Sequence, residues 1–136
     1  MSEDQLQHEI IMWFSQTYPE LRGALFEINN NSNNIRSSMR HRALGRIAGV
    51  SDLILHYKFM YGIELKAPFS RHKRNQIELE LEWGRGVVSR GGLYIMSSNI
   101  DLVKNFIQQL LSGGVVQSNI YDIEQKLITG KKTILF

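Results

Sequence analysis

Gly49-Val50-Ser51-Asp52-Leu53-Ile54-Leu55-His56-Tyr57-Lys58-Phe59-Met60-Tyr61-Gly62-Ile63-Glu64-Leu65-Lys66 is the stretch whose reading decides the fold. Asp52 opens the apolar run Leu53-Ile54-Leu55, which has the composition of a buried strand reaching to Tyr57. Lys58 to Tyr61 reads as a turn, and Gly62 to Lys66 as a second strand. In that strand Ile63 and Leu65 point to one face and Glu64 and Lys66 to the other, because side chains alternate with a period of two. An acid and an amine projecting together from a half-buried hairpin cost free energy unless something uses them. Asp52, on the paired strand, reaches the same side. Two carboxylates suit a hard divalent cation, Mg²⁺ or Mn²⁺, and a nearby ammonium suits a phosphate or the water attacking it. Taken singly, Asp52 would be a turn residue, and Glu64–Lys66 an ion pair worth under about 1 kcal/mol.

Taken together, the residues match a known pattern. Asp52, a spacer, then Glu64-Leu65-Lys66 resembles the PD-(D/E)xK nuclease signature, with Ser51 where the pattern has proline. The preceding Gly49-Val50, the later Gln76 and an N-terminal helix bearing glutamates are similar to the VRR-NUC branch of that superfamily. The likeness runs from Glu3 to about Leu110. It implies a small mixed β-sheet flanked by helices, a restriction-endonuclease-like α/β core with the site at one edge. It also implies a metal-dependent endonuclease in which Asp52, Glu64 and the main-chain carbonyl of Leu65 are the metal ligands. Lys66 would orient or deprotonate the attacking water, its pKa pulled down by burial and a nearby metal.

The resemblance brings two more residues to the site. Gln76, early in the following helix, would bond water or phosphate. Glu3 with Gln7 resembles the family's N-terminal Glu/Gln pair, four residues apart on one helix face, and Glu9 competes as the helix acid. Asn29 or Asn30 corresponds to an Asn after the first strand. Stand-alone proteins of this kind resemble Holliday junction resolvases, which implies branched DNA as substrate, a homodimer, and work in repair, recombination or phage DNA processing. The alternatives are a non-catalytic nucleic-acid-binding module on this scaffold, a flap- or end-processing enzyme, and a restriction-type endonuclease.

The charge pattern points the same way. The net charge is only +3, yet Arg36, Arg40, Arg42 and Arg46 form one basic cluster and Arg71, Lys73 and Arg74 another, bracketing the hairpin in sequence. Such clusters supply phosphate contacts that are salt-sensitive and independent of sequence. The histidines His8, His41, His56 and His72 lack metal-ligand spacing, so zinc is not expected. Trp13 and Trp83 read as core residues rather than stacking platforms.

The 136 residues suffice for one domain, with a recognised core of 3–110 and an extension of 111–136. With 43% apolar and 21% charged residues the composition is that of a soluble globule. No apolar run approaches the roughly 20 residues of a membrane span. The acidic start at Met1–Asp4 and the lack of cysteine fit a cytoplasmic protein.

Around the hairpin, helices are expected over Glu3–Gln16, capped by Ser2, and over Ile35–Leu44. Others are expected from Arg71 to about Val88, from an Asn99 cap to about Leu111, and over Asn119–Leu127. Strands are expected over Leu25–Ile28, Leu93–Ser97 and Thr133–Phe136. In the Arg71–Val88 helix, Ile77, Leu81 and Val88 should face inward and Glu78, Glu80 and Glu82 outward, with Gly84 and Gly86 weakening its end. The segment Ile120–Phe136 is apolar enough to serve as a dimer interface.

Overall fold

The computed structural model describes residues 1–28 and 35–136. The expected Asn29 or Asn30 position lies outside these residues. The chain opens with α1 (Glu3–Thr17), held at its start by a capping box. The Ser2 hydroxyl accepts from Gln5 N–H (3.1 Å), and Ser2 N–H donates to Gln5 Oε1 (2.7 Å), which satisfies two otherwise orphaned donors. One 3₁₀ turn, Pro19–Leu21, leads to β1 (Leu25–Glu27). The basic helix α2 (Ile35–Ala43) precedes β2 (Leu53–Tyr57) and β3 (Phe59–Leu65).

The β2–β3 hairpin is tighter than expected. Lys58 alone turns the corner with φ 63°, so Phe59–Tyr61 belong to the strand and pair back to β2. Next comes β4 (Arg71–Lys73), where a helix was expected to have begun already. It is a strand because the C-terminal β6 (Thr133–Leu135) pairs with it antiparallel, a partnership invisible to local pattern. The remaining elements are α3 (Arg74–Ser89), β5 (Leu93–Ser97), α4 (Ile100–Ser112) and α5 (Ile120–Leu127).

The main sheet runs β1-β2-β3-β5. Its first two pairings are antiparallel and β3–β5 is parallel, with α3 as the crossover. Each face is covered. On one side Leu6, Ile10 and Phe14 of α1 and Val103, Phe106 and Ile107 of α4 pack on Leu53, Leu55, Ile63, Leu65 and Ile95. On the other, Ile77 and Leu81 of α3, Ile123 and Leu127 of α5, and Ile134 pack with Tyr94 and Met96. The result is an α/β fold with a small mixed sheet between helical layers. Among the described residues no helix is long and apolar enough to cross a membrane.

Helix α3 departs from expectation in ways that matter for the site. Glu80 is not outward-facing: it is only 4% exposed, whereas Glu78 and Glu82 are exposed. The buried stripe is Ile77, Glu80, Leu81, Gly84 and Val87, and Val88 falls outside it. As expected, the helix runs on past Gly84, to Ser89. A Cβ on Gly84 would sit 2.6–2.8 Å from ring atoms of Tyr94, so the glycine lets that ring lie flush against α3. In the extension, Ile123, Leu127 and Ile134 complete the second core layer, while Tyr121, Ile128 and Leu135 stay exposed.

Candidate functional site

The hairpin places its acids by register. Leu53 pairs with Ile63, and the same antiparallel register carried one step outward sets Asp52 opposite Glu64. Two hydrogen bonds lock that end. Asp52 N–H donates to Glu64 Oε2 (3.2 Å), and Leu65 N–H donates to Asp52 Oδ2 (2.8 Å). Ser51, fully buried, donates its hydroxyl to Leu53 O (2.8 Å) and so braces the backbone on either side of Asp52.

Gly49 shapes the approach. It has φ 84°, and a Cβ on it would lie 2.6 Å from Leu79 O of α3. Only glycine combines that conformation with such close contact, and it brings the loop before Asp52 against α3 beside Glu80.

Glu80 is the functional-site residue that sequence reasoning missed. Its carboxylate accepts two bonds from the Lys66 ammonium, at 2.6 and 3.0 Å. Lys66 Nζ also lies 3.4 Å from Glu64 Oε1. Glu64, Lys66 and Glu80 are all under 5% exposed, so three ionisable groups are sunk together at the end of β3, an inner strand and not the sheet edge that was expected. The signal in the sequence was the stripe itself: positions 77, 80, 81, 84 and 87 recur at helical spacing, and the acidic run around Glu80 masked it.

The electrostatics follow from crowding. Burial raises the Asp52 carboxyl from 3.8 to about 6; Glu3 and Glu80 add to this, while the Leu65 N–H and Lys66 oppose it. Glu64 is pushed well above the usual carboxylate range by burial, by its bond with Glu80 and by the charges of Asp52 and Glu80. Lys66 moves the opposite way from expectation. Burial alone would lower its pKa, but Glu64 and Glu80 outweigh burial and raise it, so the amine stays charged. Tyr94 completes the buried set: its phenol is pushed up by burial and by Glu64, Glu80 and Asp52, and among the described residues its hydroxyl has no hydrogen-bond partner.

Asp52, Glu64, Lys66 and Glu80 open onto a cleft of about 640 Å³. Glu3 and Gln7 of α1 line it, and Gln7 Nε2 donates to Glu27 Oε1 of β1 (3.1 Å). Glu9 lies elsewhere, on an exposed part of α1. Gln76 lines the cleft one turn before Glu80 on the same face of α3. His72 sits between Ala67 O (Nε2, 3.0 Å) and Glu3 Oε1 (Nδ1, 3.8 Å), with the Phe136 ring edge-on against it.

The basic residues divide. Arg42 and Arg46 line one part of the wall, and Arg71 and Lys73 another. Arg36 and Arg40 are exposed on α2 outside the lining. Arg74 turns away to bond Leu127 O and pair with Glu78 (3.0 Å), tying α3 to the C-terminal segment instead of facing the cleft.

The fit to a divalent ion rests on Asp52 and Glu64. Burial raises both carboxyls, and the Asp52 charge raises Glu64 further, a crowding that a cation between the two would relieve. Among the described residues no cluster of three or more Asp, Glu or His side chains is arranged to hold a metal. Two carboxylates with water and phosphate oxygens are nonetheless the usual Mg²⁺ arrangement.

No protein-family model and no curated protein matches the chain. Among solved structures it is similar to a VRR_NUC domain protein, with a TM-score of 0.65 at 18% identity, covering 86% of this chain and 93% of that one. The two share a fold.

Proposed function

We propose that this protein is a divalent-metal-dependent nuclease that hydrolyses phosphodiester bonds in DNA, with branched or otherwise structured DNA as substrate. The observation that carries the proposal is the pairing of Asp52 and Glu64 across the β2–β3 register, with the Lys66 ammonium beside them in a cleft walled by arginines and lysine. The likeness to a VRR_NUC domain protein supports it. Asp52 and Glu64 would hold the metal, Mg²⁺ or Mn²⁺, with the Leu65 carbonyl as a further ligand. Bound there, the ion supplies Lewis acidity, lowering the pKa of water and neutralising phosphoryl charge.

The chain's own residues do the rest. Arg42, Arg46, Arg71 and Lys73 bind the phosphate backbone on either side of the acids. Lys66, held charged by its carboxylate neighbours, donates a hydrogen bond to the phosphate or to the attacking water, and offsets charge on the pentacovalent phosphorus. Gln76 positions water or a phosphate oxygen through its amide. Glu3, at the mouth of the cleft beside His72, contributes a second-rank acid that tunes Asp52. In the net reaction the water oxygen bonds to phosphorus, one ester P–O bond breaks, and a proton ends on the leaving oxygen. A homodimer belongs to the proposal, since symmetric cutting of a four-way junction takes two sites related by a two-fold axis.

The test is cleavage of end-labelled four-way junction, flap, single-stranded and duplex DNA with Mg²⁺ or Mn²⁺, comparing wild type with Asp52→Ala and Lys66→Ala. Paired symmetric nicks in the junction, lost in both variants, are expected. One-sided trimming would indicate a flap- or end-processing enzyme, and cutting confined to particular duplex sites a restriction-type one. Binding of every substrate with cleavage of none would leave a non-catalytic binding module.

A further inference from the structure

We propose that Glu80 is a positioning residue, which aims the Lys66 ammonium into the cleft from helix α3. The inference rests on the nuclease reading of the site and adds to it a residue outside the hairpin. An ammonium has three donors, and Glu80 takes two of them at 2.6 and 3.0 Å. Lysine carries a long, flexible stem with high rotamer entropy, so an untethered Lys66 would sample many placements of its charge. The two-point tether leaves Nζ beside Glu64 Oε1, at 3.4 Å, where one donor remains for a ligand in the cleft.

The tether is itself held firmly. Leu79, the residue before Glu80, has its carbonyl against Gly49 in the loop that delivers Asp52. One turn later Gly84 lies close against the Tyr94 ring of β5. Between these two contacts α3 has little freedom to slide, and a site built on such an element is more precise than one built on a loop. Gln76, one turn before Glu80, shares its face and lines the same cleft. Helix α3 thus sets both the amide and the ammonium relative to the acids of the hairpin.

A purely structural ion pair would also be buried, and removing one partner of such a pair destabilises a fold. The two roles separate in kinetics and in coordinates. We would compare wild type, Glu80→Gln and the control Glu78→Gln by crystal structure and by steady-state cleavage of the DNA substrate the wild type prefers. If Glu80→Gln does not fold, Glu80→Ala replaces it, since the space it opens admits water to Lys66. In the Glu80 variant Nζ is expected to leave its place beside Glu64. Its kcat should fall about ten- to a hundred-fold, the scale of an ångström of misplacement. KM for DNA should stay within about two-fold, and Glu78→Gln should match wild type.

An unmoved Nζ overturns the proposal whatever the kinetics. A displaced Nζ with unchanged kcat, or a loss confined to KM or shared by Glu78→Gln, overturns it as well. A displaced Nζ in a protein whose wild type cuts no DNA upholds the tether and defeats the nuclease reading instead.

Discussion

Replacing Asp52 by asparagine should make the chelated protein more stable while destroying its proposed activity. Asp52 titrates at about 6 in the fold against 3.8 for a free carboxyl. The native state therefore holds a proton that the unfolded chain releases. Stability falls as pH rises through the window from about 4 to 6, and the whole deficit is present above it. A shift of about two units corresponds to about 3 kcal/mol at neutral pH, and that is a ceiling, because water reaches a group at a cleft rim. Asparagine carries no charge, and its side-chain oxygen can still accept from the Leu65 N–H, which now bonds Asp52 Oδ2.

We expect Asp52→Asn to gain about 1–3 kcal/mol at pH 8 in chelator, and to lose most of that gain near pH 4. For a chain of this size that is a rise of several degrees in Tm. Urea unfolding followed by the fluorescence of Trp13 and Trp83 reads it directly. Added Mg²⁺ should raise the midpoint of wild type and leave that of the variant unchanged, since only a ligand that binds the native state stabilises it. A variant less stable than wild type at pH 8, or a gain that does not depend on pH, would refute the argument that the carboxylates are crowded at the expense of the fold.

Other consequences are equally open to test. Gly84→Ala should cost about 1–3 kcal/mol in urea unfolding, because the new Cβ meets the Tyr94 ring, although alanine is the better helix former by about 1 kcal/mol; a stabilised variant would mean the helix and ring are free to separate. Tyr94→Phe removes a buried hydroxyl that has no partner among the described residues, so it should be neutral or slightly stabilising in the same assay, and a loss above about 1 kcal/mol would count against it. Arg42→Ala and Lys73→Ala should each weaken DNA binding and reduce the slope of log affinity against log salt by about one. Arg74→Ala should leave that slope alone and instead lower Tm, because its guanidinium is engaged by Leu127 O and Glu78.

Most of the framework was legible because it is written in local period and caps. The Glu64–Lys66 alternation fixed which face of β3 carries charge, and Ser2 and Asn99 marked helix starts that the structure places one residue later. What escaped depended on partners far along the chain. Arg71–Lys73 reads as the beginning of a helix until β6, sixty residues later in the register Lys73–Thr133, claims it as a strand. Arg74 reads as a phosphate ligand until the C-terminal segment claims its guanidinium.

Glu80 shows the same limit in sharper form. A glutamate amid Glu78 and Glu82 is ordinarily solvated, and only the Lys66 ammonium arriving from β3 makes its burial tolerable. That partnership also reversed the expected direction of the Lys66 pKa, since burial and Glu64 were foreseeable and a second buried carboxylate, Glu80, was not.

The most direct measurement is anomalous scattering from crystals of wild type and Asp52→Asn soaked in Mn²⁺. A single manganese peak in contact with both the Asp52 and Glu64 carboxylates, at about 2.2 Å as oxygen ligands of such ions require, and absent from the variant, is the expected result. Manganese bound elsewhere, or none between those two side chains at saturating concentration, would contradict a shared cation at the end of this hairpin.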